Sequence, residues 1–73
     1  MTQSLDARLL AAHEMQDQSA LIDLYEEAAS NADTEDACGF YLTHAYVFAL
    51  ESGDRRAAVM REKLVALDRE PAP

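Results

Sequence analysis

Glu35-Asp36-Ala37-Cys38-Gly39-Phe40-Tyr41-Leu42-Thr43-His44-Ala45-Tyr46-Val47-Phe48-Ala49-Leu50-Glu51 is the stretch whose reading decides the fold. The fourteen residues from Ala37 to Leu50 include no Lys, Arg, Asp or Glu. Placed on a helix, Phe40, Tyr41, His44 and Phe48 fall on one side, and Leu42, Tyr46, Ala49 and Leu50 fall on the other. A helix that is apolar all round is expected to be buried all round. Four of the five aromatics lie in this segment, Tyr25 being the exception. The segment is therefore predicted to be the spine of the domain, contacted by every other helix.

The flanking residues set its limits. Asp33 or Thr34 is a good N-cap, and acids at 35 and 36 suit the positive end of a helix dipole. Ser52-Gly53-Asp54 ends the segment: Gly53 can take the left-handed C′ conformation and Asp54 can cap the next helix. Helices are thus expected at about 5–15, 19–31, 35–51 and 55–69, with 70–73 as a frayed tail holding Pro71 and Pro73. The first presents Leu5, Leu9, Ala12 and His13 on one face. The second presents Leu21, Tyr25, Ala28 and Ala32 with Ile22 and Ala29, and Asp17 or Ser19 can cap it. The fourth is the cleanest amphipath, with Ala57, Met60, Leu64 and Leu67 at spacings of three, four and three. No run alternates at period two for more than a few residues. The expected class is all-α: four antiparallel helices forming two helical hairpins in one small domain, 1–73, stacked as a repeat or closed as a four-helix bundle.

At 73 residues and 8.1 kDa there is room for one domain and a small core. Such a chain buries roughly 60% of its unfolded surface. Its net stability is on the order of a few kcal/mol unless a partner adds to it, so self-association, a homo-oligomer, is expected. The apolar fraction of 49% argues against disorder. A net charge of −8 argues against nucleic acid and against an anionic membrane surface as partners. A single Cys excludes a disulfide-stapled fold. The N-terminus has neither a basic region nor a long apolar core, and no run is long enough to span a bilayer. A cytoplasmic location is the expectation.

The charge is unevenly placed. From Leu9 to Asp54 there are ten acids and no Lys or Arg. From Arg55 to Arg69 there are five basic residues and only Glu62 and Asp68 as acids. That polarity suits a basic protein or peptide partner, or docking of one copy's fourth helix on another copy's acidic body. Such contacts steer association and weaken with salt.

Leu21-Ile22-Asp23-Leu24-Tyr25-Glu26-Glu27-Ala28-Ala29 resembles the second helix of a tetratricopeptide or Sel1-like repeat. Leu42-Thr43 with Tyr46 looks like the Leu-Gly-x-x-Tyr of a first helix, Gly53-Asp54 matches the inter-helix turn, and Lys63-Leu64-Val65-Ala66-Leu67-Asp68 resembles the close of a repeat. The likeness covers about residues 5–69 as two helix pairs. It departs from the family at Gly39 (usually Trp), Thr43 (usually small), Arg61 (usually aromatic) and Arg69 (usually Pro). The resemblance implies scaffolding or adaptor work, with a peptide or protein held along a concave face.

Residues with chemical potential are few. His13 and Asp17 stand at i and i+4, a spacing that can present two metal ligands, and His44 is the only other His. Cys38, one turn into a helix, could be activated by the helix N-terminus. Glu35 and Asp36 oppose that, and no His stands at i±3 or i±4 to act as its base. There is no glycine-rich phosphate loop and no calcium loop. A non-enzymatic interaction module without cofactor or metal is the reading these residues favour, with Tyr25, Tyr41, His44 and Phe48 as hot-spot types near any groove. The alternative is a small metal- or ligand-responsive regulator using His13, Asp17 and His44.

Overall fold

Residues 4–67 are described by a computed structural model as four helices: α1 (Leu5–Met15), α2 (Gln18–Ser30), α3 (Glu35–Ser52) and α4 (Arg56–Ala66). No strand occurs among the described residues. The all-α, four-helix expectation is met, and the first three helices begin and end within one residue of the expected limits. The fourth starts at Arg56 and closes at Ala66, with Leu67 in a turn. Positions 68–69 of the expected fourth helix, and the expected 70–73 tail, lie outside the described residues.

Short polar side chains start the helices, each satisfying a backbone N–H that has no intrahelical acceptor. The Ser4 hydroxyl accepts from Ala7 N–H at 3.1 Å, Asp17 Oδ1 from Ala20 N–H at 3.1 Å, and Thr34 Oγ1 from Ala37 N–H at 3.0 Å. Asp54 Oδ1 does the same for Arg56 N–H at 2.8 Å. Two left-handed residues stop helices. Gly53 (φ +67°) ends α3 where a glycine is expected. Gln16 (φ +54°) ends α1 in a conformation that costs any residue with a Cβ. Its N–H accordingly donates to carbonyls of the last turn, including His13 O at 3.1 Å.

Each helix packs on its neighbours in sequence: α1 on α2, α2 on α3, α3 on α4. No other pair of helices brings its backbones together, so α1 does not close against α4. The core lies where α2, α3 and α4 meet, at Ile22, Ala29, Leu42, Ala45, Ala49, Met60 and Leu64. Ile22 and Met60 have no exposed surface. Full burial of one such side chain contributes about 1.5–3 kcal/mol. Alanines at 45 and 49 let the neighbouring helices approach α3 closely, and the larger side chains of α2 and α4 fill the remaining space. The stripes read from sequence on α2 and α4 are the ones that are buried. On α1 only Ala12 is fully buried, with Leu5 and Leu9 half-buried beside it.

Helix α3 departs from expectation. It is buried along one side only, at Gly39, Leu42, Ala45 and Ala49. Phe40, Val47 and Leu50 remain 59%, 44% and 55% exposed. The reason is where α1 goes. It lies on α2, its backbone does not meet that of α3, and His13 touches α3 through a ring contact with Phe48, centroids 5.8 Å apart. Helices α2 and α4 alone cannot surround a helix that is apolar all round.

Candidate functional site

The four residues singled out for a groove, Tyr25, Tyr41, His44 and Phe48, do come together. Tyr25 projects from α2 against α3 and stacks on His44 at 5.0 Å and on Phe48 at 5.7 Å, with Tyr41 at 6.4 Å. All four are half-buried. Three of them stand at 41, 44 and 48, spacings of three and four that align side chains on one flank of a helix. Two of the polar groups are engaged. The Tyr25 hydroxyl is hydrogen-bonded to His13 Nε2 at 3.0 Å, and His44 Nδ1 donates to the Phe40 carbonyl at 2.9 Å. The cluster therefore ties α1, α2 and α3 together, and its role in holding the helices is plain from the contacts alone.

Beyond this cluster lies a feature that periodicity did not reveal. Phe40, Thr43, Val47 and Leu50 are all exposed and succeed one another at spacings of three, four and three. That is the 3.5-residue repeat with which one helix lies along another. Thr43 belongs to the stripe without loss, because its hydroxyl donates to the Gly39 carbonyl at 2.8 Å. A hollow of about 260 Å³ opens beside it, lined by Thr43, His44, Val47 and Phe48. The hollow joins the stripe to the aromatic cluster. The signal was present in the sequence as a contrast: Leu42, Ala45 and Ala49 mark a narrow close-packing side, and the stripe is on the side away from it. The other exposed large apolar residues, Leu10, Met15 and Val59, lie on α1 and α4 and are not part of this row.

The surroundings of the stripe are acidic. Helix α3 carries Glu35, Asp36 and Glu51 and no Lys or Arg. Three cations elsewhere are engaged within the chain. Arg8 holds Glu27. Arg56 pairs with Asp54 and Asp23 and also donates to the Ser19 hydroxyl. Lys63 pairs with Glu26. The Arg56–Asp23 and Lys63–Glu26 pairs join α4 to α2, whose backbones do not meet. Hydrogen bonds from the Arg56 side chain, then from its backbone N–H, hold the Asp54 carboxyl down at about 2. The Arg8 guanidinium lowers Glu27 in the same way, against a smaller opposing effect of desolvation. Two of the five cations of the basic segment, Arg56 and Lys63, are thus engaged with the chain's own second helix.

The chemical candidates are engaged with other groups. His13 is bonded to Tyr25, Asp17 caps α2, and His44 is bonded to its own helix. Cys38 is half-buried against the core. Among the described residues no group of three His, Cys, Asp or Glu side chains is placed to hold a metal ion. No described helix is long and apolar enough to cross a membrane. Comparison with protein-family models, with curated proteins and with solved structures finds no match to this chain.

Proposed function

We propose that this protein is a small non-enzymatic interaction module that binds another protein through the open side of α3. The observation that supports this reading is the row Phe40, Thr43, Val47 and Leu50, apolar but for a self-satisfied Thr, exposed, and spaced for helix packing. Contiguous apolar area of this kind is unfavourable to leave in water and marks interaction sites. The half-buried Tyr25, Tyr41, His44 and Phe48 stiffen the flank of the row. A partner thus meets a preorganised surface and loses less to ordering. The resemblance to tetratricopeptide repeats supports the same class of work. The partner can be a second copy or another protein, and the ionic layout of α3 favours the latter.

The test is site-specific photocrosslinking in the native host. A photoreactive residue at Val47 is expected to capture a discrete protein adduct, while one at exposed Glu62 on α4 is not. A Leu50→Asp substitution should abolish the adduct while leaving the helical circular dichroism unchanged. Equal capture at both positions, or none at Val47, would remove the support for a docking role.

A further inference from the structure

We infer that the occupant of the α3 face is an amphipathic helix with a basic flank, supplied by a different protein, an inference that rests on the interaction reading above. The row from Phe40 to Leu50 spans about three helical turns, roughly 16 Å. It matches a partner helix with apolar residues at the same spacing of three and four. The hollow bounded by Thr43, His44, Val47 and Phe48 takes one side chain of that helix.

Charge selects among the candidates. Acids stand at both ends of the row, Glu35 before it and Glu51 beside Leu50, and α3 itself carries no Lys or Arg. A second copy docked face to face would set Glu51 against the other copy's Glu35 end if antiparallel, and against its own counterpart if parallel. Either register brings like charges together at the rim of a water-poor contact, which is the usual device for rejecting a partner. Of the other described cations, Arg8, Arg56 and Lys63 are each paired with acids of the same chain, and Arg55 and Arg61 lie outside α3. A Lys- or Arg-flanked helix brings the opposite sign to both ends. It also gains in on-rate from a protein whose net charge is −8.

The probe is a synthetic helical peptide of about four turns with Leu at the seam positions. It is made in three forms, with Lys, Gln or Glu flanking the seam, and titrated against the whole protein by fluorescence anisotropy, with sedimentation run in parallel. The Lys form is expected to bind at least about tenfold tighter than the Glu form, with the Gln form between them. Its affinity should fall several-fold on raising salt from about 0.05 to about 0.5 M. Val47→Asp should remove binding and Glu51→Lys should reduce the preference for Lys over Glu. Both sites are exposed, and circular dichroism checks that each variant folds. Equal binding of all three peptides would overturn the basic chemistry and leave the docking face standing. No peptide binding, together with self-association that Val47→Asp abolishes, would assign the face to a second copy and overturn this inference alone. No binding of any kind would overturn both the inference and the interaction reading.

Discussion

Helix α3 has one side that holds the fold and one that does not, and substitutions should separate them sharply. Leu42 is 3% exposed and packs into the core with Ile22, Met60 and Leu64. Leu42→Ala removes three carbons from that core, about 2.4 kcal/mol of transfer energy at the usual value per methylene. The cavity left behind brings the cost to about 3–4 kcal/mol. On a domain this small that is most of the stability, and the midpoint of thermal unfolding should drop by on the order of 15–20 °C. The contrasting variant combines Phe40→Ala, Val47→Ala and Leu50→Ala, a change that removes far more apolar atoms. With half or more of Phe40 and Leu50 and 44% of Val47 in water, each loses only part of its burial. Phe40 also loses ring contacts with Tyr41 and His44, at 5.5 and 4.5 Å. Alanine returns about half a kcal/mol of helix propensity at the aromatic and β-branched positions. The triple variant should therefore lose no more than about 1–2 kcal/mol, less than the single core substitution. Urea unfolding followed by circular dichroism at constant slope measures both. If the triple variant costs more than Leu42→Ala, the open side is part of the core and cannot be a docking face.

The caps and ion pairs lead to three further outcomes. Gln16→Gly should stabilise the protein by about 0.5 kcal/mol, because the left-handed backbone at this position penalises a Cβ by more than glycine loses in chain entropy; a melting point raised by a few degrees checks it. Gly53→Ala should cost about 1 kcal/mol for the same reason reversed, read as a lowered urea midpoint, with no clash involved, since nothing lies within 4 Å of an added Cβ. Asp54 ionises at about 2 when folded against 3.8 as its ordinary value. On acidification the unfolded chain takes up the proton first. The stabilisation is therefore complete above about pH 4 and is lost as pH falls through about 2. Asp54→Asn should be less stable than the parent at neutral pH, and the two urea midpoints should converge below about pH 2; a gap that stayed constant with pH would show that the Arg56 contacts do not depend on the carboxylate charge.

Much of the fold was legible because local chemistry agreed with global packing. Thr34, Asp17 and Gly53 are short-range signals, and each does in the structure what its side chain or backbone favours. The stripes of α2 and α4 were legible because each is one-sided. Two things were not. Gln16 ends α1 in a left-handed conformation that nothing in its own chemistry demands. The open side of α3 was read as buried because periodicity reports what a helix can cover, not how much covering the rest of the chain supplies. Phe40 and Leu50 looked like core from composition alone. The placement of α1 against α2, tied by the His13–Tyr25 bond, leaves them in water. The polarity of charge is plain along the chain, but not that two of the five late cations, Arg56 and Lys63, turn back onto Asp23 and Glu26 of α2, because that depends on where α4 sits.

A basic helix lying along Phe40, Thr43, Val47 and Leu50 would leave a direct signature in the amide chemical shifts of the labelled protein, titrated with the Lys-flanked peptide. The largest shifts should fall on residues 40–51 of α3, with smaller ones at Tyr25, whose ring backs His44 and Phe48. Shifts centred instead on Leu10 and Met15 of α1, or on Val59 of α4, would contradict it.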